Sequence, residues 1–80
     1  MEQIIQSPKL LGKAIRRWRK LKKLSQQQAG LPMKLEQSTV STIEQGAPGT
    51  RIETLFRILA ALDLEMVIRP KDNSKVKGEW

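Results

Sequence analysis

Between Ser7 and Leu62 the chain is cut by helix starts and stops into four short segments. Ser7-Pro8 opens the first: a serine oxygen can accept from an orphan amide, and proline at the first helical position lacks a donor that would go unused there. Leu10, Leu11, Ala14, Ile15, Trp18 and Leu21 then recur at three- and four-residue steps, the stripe of a helix of about four turns. Ser25 and Gln28 repeat the start as a capping box. Gly30 and Pro32 must end that second helix within about two turns. A third segment covers residues 35–45, and Gly46, Pro48 and Gly49 close it. Thr50 with Glu53 reads as another capping box, opening a fourth helix whose apolar face is Ile52, Leu55, Phe56, Leu59 and Leu62. Helices this short are marginal alone, so they must share one core.

Beyond Leu62 the pattern changes. Leu64, Glu65, Met66, Val67, Ile68 and Arg69 are rich in β-formers and alternate, and Pro70 stops them. This predicts one β-strand. A lone strand has unpaired edges and no sheet to join, so it calls for a symmetry mate. The tail that follows is polar apart from Val76 and ends in Trp80, and is expected to be disordered. The expected organisation is an arm at 1–6, one domain at 7–70 and a flexible tail at 71–80. Trp18 fits the core better than a base-stacking role. Trp80 has three readings: an anchor in a partner's pocket, a side chain folded back on the domain, or an incidental residue.

Eighty residues make one domain with a small core. Cysteine and histidine are absent, which removes disulfides, thiolate zinc sites and the usual neutral-pH general base. Eight scattered acids supply no evident catalytic set, so an enzyme is not expected, nor a metal or cofactor. The first residues lack a signal peptide's apolar run and no stretch approaches membrane-spanning length, so a cytoplasmic protein is expected.

The net charge of +7 is local. Lys9, Lys13, Arg16, Arg17, Arg19, Lys20, Lys22 and Lys23 follow one another with no acid between them. Such a cluster attracts a polyanion by neutralising phosphates and releasing counterions; a solvated helix face and a membrane-surface helix are the alternatives. The third segment is the opposite case. Only Leu35, Val40 and Ile43 anchor it, while Gln37, Ser38, Thr39, Ser41, Thr42 and Gln45 present uncharged hydrogen-bonding groups. So little apolar surface suggests that its polar face is used.

Residues 24–46 thus form two short helices across a tight turn. This stretch resembles the phage-repressor-like (XRE) helix-turn-helix family, in which a Gln opens the first helix and a β-branched residue, Ser, an apolar residue and Glu precede a Gly, here Val40, Ser41, Ile43, Glu44 and Gly46. The resemblance spans about residues 7–62 and implies a mainly α, lambda-repressor-like fold. Lys34 stands where the family has its turn glycine, and Gly30 and Pro32 predict a short or distorted first helix. Glu36 is an unusual first residue for the second. In such a motif the second helix enters the major groove and helix starts hold phosphates. Gln37 is the first choice as a base reader, since a carboxamide can bond adenine bidentately, with Ser38, Ser41 and Thr42 after it. Gln26, Thr39, Arg19, Lys22 and Lys23 are the phosphate candidates. Glu44 reads as structural, a partner for a basic side chain or an amide.

A narrower resemblance lies in residues 54–66, where Thr54-Leu55-Phe56-Arg57-Ile58-Leu59-Ala60-Ala61-Leu62 runs straight into the strand-like segment before a tail ending in Glu79-Trp80. This is similar to the HipB-type antitoxins, autorepressors that pair with HipA-type kinase toxins. It implies a homodimer closed by paired strands, a palindromic double-stranded operator, and a toxin that receives Trp80. The competing readings are a phage-like repressor without a toxin and a protein-interaction module that has lost DNA readout.

Overall fold

The computed structural model describes residues 2–71. Four α-helices follow in order: α1 Pro8–Leu21, α2 Gln26–Gly30, α3 Gln37–Glu44 and α4 Ile52–Ala61, with a single 3₁₀ turn, Leu31–Met33, between α2 and α3. Two of the expected starts form as read. Ser7 Oγ accepts from the Leu10 amide at 3.1 Å. The Ser25 box closes both ways, with Gln28 N–H on Ser25 Oγ at 3.0 Å and Ser25 N–H on Gln28 Oε1 at 2.8 Å.

Ile15, Ala29, Leu35, Val40, Ile43, Ile58 and Leu62 make the core, drawing on all four helices and the turns beside them. Two glycines let the backbones meet there. A Cβ on Gly12 would lie 2.5 Å from the Ile43 carbonyl oxygen and 2.6 Å from that of Glu44, so α1 crosses the end of α3 at the closest approach a backbone allows. A Cβ on Gly30 would lie 2.5 Å from the Leu35 carbonyl oxygen. Gly30 is therefore a packing requirement of the α2–α3 turn more than a weak helix former.

Every helical run ends in the same way. The residue after each last turn is left-handed, at Lys23, Lys34, Gly46 and Asp63, and the amides of Leu24, Leu35, Ala47 and Leu64 reach back to Arg19, Gly30, Thr42 and Leu59 carbonyls. These are Schellman closures, which satisfy carbonyls that a helix end leaves open. Lys34 thus does the family glycine's work with a side chain attached, and Pro32 sits in the 3₁₀ turn, so α2 is short but the turn closes. Arg57 of α4 donates to the Met33 carbonyl and fastens that turn from behind.

Several expectations need correcting. Thr50 and Glu53 form no capping box: the cap position is Arg51, without a side-chain bond, and Thr50 Oγ1 donates instead to the Ala47 carbonyl at 3.0 Å. The helix opens one residue later than the expected box, which leaves Thr50 in the loop ahead of the cap. Trp18 is half-buried and lies outside the core cluster. Ile52 and Phe56 do not face the core; they are 69% and 53% exposed, and Ile58 is buried instead. Leu64, Glu65, Met66, Val67, Ile68 and Arg69 are not a strand: among the described residues no strand occurs, because a ladder needs a second backbone and this chain offers none. The segment runs on as coil, with Arg69 on Glu2 at 3.2 Å in an exposed pair. The tail from residue 72 and Trp80 lie outside the described residues.

Candidate nucleic-acid interface

The site begins with what holds α3. Val40 and Ile43 are its buried residues, and Leu35, just ahead of it, is a third anchor. At its far end Glu44 is clamped: Arg19 Nε reaches Oε2 at 2.5 Å, Arg19 Nη2 reaches Oε1 at 3.0 Å, and Gln26 Nε2 adds a bond to Oε1 at 3.2 Å. Arg19 Nη1 also donates to the Leu24 carbonyl at 2.8 Å. One guanidinium thus ties α1, the α1–α2 turn and α3 together, with its side chain 10% exposed and that of Glu44 4% exposed. The hydrogen bond to Glu44 holds the Arg19 pKa above its ordinary value, against the opposing effect of burial.

This corrects the phosphate expectation for Arg19. Each of its three nitrogens donates to a partner inside the domain, and it is the one basic residue among the eight in the α1 cluster that is buried. Gln26 is half-buried, with one amide hydrogen on Glu44 and its carbonyl oxygen not so used. Glu44 is the structural partner that its position suggested. Lys22 and Lys23 are exposed at the α1–α2 turn.

Because Glu44 is neutralised internally, the outer face of α3 carries no net charge. Gln37, Ser38, Thr42 and Gln45 are exposed, and Thr39 and Ser41 half-buried. The hydroxyls are not equivalent. Thr42 Oγ1 donates back to the Ser38 carbonyl at 2.9 Å, so what it turns outward is a methyl and an acceptor. Ser41 Oγ accepts from Gln45 Nε2 at 3.1 Å and keeps its own proton to give. Gln37, in the first turn, has no side-chain partner among the described residues, which leaves its carboxamide able to donate and accept at once. The face offers donors, acceptors and a methyl on a scaffold of α-helix width, the requirements for reading base edges in a major groove about 12 Å wide.

An open groove of about 220 Å³ borders this face, lined by Ser38, Thr39, Thr42, Ile43, Thr50, Arg51 and Thr54. Three of these residues, Thr50, Arg51 and Thr54, were not among the DNA-contact candidates read from the sequence. The available signal was isolation: Arg51 is the only basic residue between Lys34 and Arg57. Among the described residues no cluster of acids could hold a metal ion, and no helix is long and apolar enough to cross a membrane.

Residues 15–68 match the helix-turn-helix family. The chain belongs to that family of DNA-binding domains. It is not an enzyme family, in keeping with the composition. Solved structures give the finer likeness. This helix-turn-helix chain is similar to that of a "HipB-O4 20mer complex", at 28% identity and a TM-score of 0.84, covering 89% of this chain and 100% of that one. It is similar at 28% identity and a TM-score of 0.83 to a chain in "Structure of HipA-HipB-O2-O3 complex", with coverage of 89% and 100%. A comparison with curated proteins finds no match. The HipB likeness therefore spans most of the chain.

Proposed function

We propose that this protein is a sequence-specific repressor that binds a palindromic operator as a homodimer, and that it holds a HipA-type kinase toxin as the antitoxin of a pair. The observation that carries the DNA reading is the uncharged, hydrogen-bonding face of α3, pinned at its far end by the buried Arg19–Glu44 pair. Gln37, Ser38, Ser41 and Thr42 read bases, Thr42 chiefly through its methyl. Gln26, Thr39, Lys22 and Lys23 meet phosphates. The exposed charges of α1 supply long-range attraction and salt dependence.

The dimer rests on apolar surface left uncovered. Ile52, Phe56, Met66, Val67 and Ile68 are all more than half exposed, Ile68 at 93%. Each is worth about 1.5–3 kcal/mol when fully buried. A second copy pairing antiparallel about Val67 buries Met66 and Ile68 on one face and sets Glu65 of one protomer against Arg69 of its partner, which must then leave Glu2. Such a dimer presents two copies of α3 to half-sites about 34 Å apart or a multiple of that. Charge reversal at Glu65 should weaken it, and reversal at Arg69 as well should restore it. The toxin reading draws on the likeness to the HipB chain solved together with HipA.

The test is binding of the purified protein to its own upstream DNA and to scrambled DNA, by anisotropy at two salt concentrations. Tight, selective binding that weakens with salt is expected. Equal, weak binding to both duplexes would overturn the repressor reading. A kinase-like reading frame beside the gene, whose product co-purifies with this protein, is expected for the antitoxin role; a lone gene with no such neighbour would count against it.

A further inference from the structure

The groove beside α3 has a composition that the base-reading face does not explain. Its walls hold five hydroxyl side chains, from Ser38, Thr39, Thr42, Thr50 and Thr54, together with the guanidinium of Arg51, and no carboxylate lines it. Two of these hydroxyls are already used as donors: Thr42 on the Ser38 carbonyl and Thr50 on that of Ala47. Ser38, Thr39 and Thr54 make no side-chain hydrogen bond among the described residues, and Arg51, exposed, makes neither a hydrogen bond nor an ion pair there. Donors without acceptors facing one groove describe a site for anionic oxygen.

Its position says which anion. Ser38 and Thr42 belong at once to this groove and to the outer face of α3. A helix of about 10–12 Å diameter fills a major groove about 12 Å wide, so a cleft immediately flanking the helix on its solvent side meets the wall of that groove, which is sugar and phosphate. Arginine with serine and threonine hydroxyls is the donor set that DNA phosphates receive.

We propose that Arg51, with Thr54 and Thr39, holds a backbone phosphate on the far wall of the groove read by α3. The contact rests on the DNA reading given above and deepens it. It lies across α3 from the basic residues of the α1–α2 turn, so the two sets grip opposite strands and fix the depth and register of the helix. The α1 charges alone would attract DNA and leave its register open.

The test uses the full chain with its operator duplex and a scrambled duplex, comparing wild type, Arg51→Ala and Arg51→Lys by anisotropy at 50 and 200 mM salt. Each phosphate contact contributes about 0.9 to the salt exponent. Arg51→Ala should therefore lose about 0.9 per protomer, and a four-fold rise in salt should narrow the wild-type advantage by about 3.5-fold for each protomer bound. The loss should fall on both duplexes, and Arg51→Lys should keep the slope, since lysine retains the point charge. Thermal midpoints should match, Arg51 having no bond to lose. A wild-type slope in Arg51→Ala overturns the contact while leaving operator binding standing, and a loss confined to one base pair overturns its assignment to phosphate. Failure of the wild type to bind either duplex would overturn the DNA reading itself.

Discussion

Replacing Arg19 by methionine keeps the length of the side chain and removes the charge from the middle of the domain. Glu44 then loses its bonds at 2.5 and 3.0 Å and keeps only that from Gln26 at 3.2 Å, while its carboxylate side chain stays 4% exposed. The Leu24 carbonyl loses its donor as well. Breaking a buried pair from one side costs about 3–5 kcal/mol, because the remaining charge is neither solvated nor matched. At roughly 0.05–0.15 kcal/mol per residue a domain of this size has about 4–12 kcal/mol in all, so Arg19→Met should approach the edge of folding. With 4–8 °C lost per kcal/mol at this size, the midpoint should fall by at least about 12 °C. The assay is calorimetric or circular-dichroism melting at one fixed protomer concentration, since the proposed dimerisation would make the midpoint concentration-dependent. Arg19→Met with Glu44→Leu removes both charges and should recover most of the loss, as apolar replacements of buried pairs often do. A cost below about 1 kcal/mol for the single change, or a double variant no better than the single, would refute the view that this pair sustains the fold.

Three further outcomes are expected. Lys34→Gly should raise stability by about 0.5–1 kcal/mol, read as a midpoint gain of about 2–8 °C, because glycine lifts the left-handed penalty and returns part of it as unfolded-state entropy; Lys34→Ala should give no gain. Gly12→Ala should destabilise by about 1–3 kcal/mol despite alanine's better helix propensity, since carbonyl oxygens 2.5 and 2.6 Å from the new Cβ cannot yield without moving α3, and operator affinity should fall with stability. Gln37→Ala should cost roughly 1–3 kcal/mol of operator binding at a single base pair in a substituted-site scan. Uniform loss across all DNA would show that Gln37 touches backbone instead.

Which features were legible in the sequence follows from the range of the interaction that makes each. The Ser7 and Ser25 starts are closed by partners three residues away, so their residue types suffice. Thr50 and Glu53 have the same spacing, yet the helix opens one residue later, so Arg51 takes the cap position and the Thr50 hydroxyl donates to the Ala47 carbonyl within the loop. Arg19 is indistinguishable from its basic neighbours in a charge count, because what buries it is a glutamate 25 residues on. Gly30 looked like a weak point on propensity, whereas the Leu35 carbonyl packed against it explains its presence. The segment at 64–69 has the alternation of a strand and lacks the one thing alternation cannot supply, a second backbone. For the polar face of α3, the run of uncharged residues on a thinly anchored helix was sufficient to expect that it stays exposed. The flanking groove was not visible, since it joins Thr39 and Thr42 to residues across a loop.

The left-handed closures at Lys23 and Lys34 also bear on how long a copy of this protein survives. Two lysines held where glycine would be easier leave about 1–2 kcal/mol unclaimed, which is about a tenfold larger unfolded fraction than two glycines would allow. In a homodimer that fraction is tied to abundance by mass action. If the proposed homodimer forms, its separation at low concentration would enlarge the unfolded share that proteases remove. The same two turns that complete the domain therefore also set how large its unfolded share is.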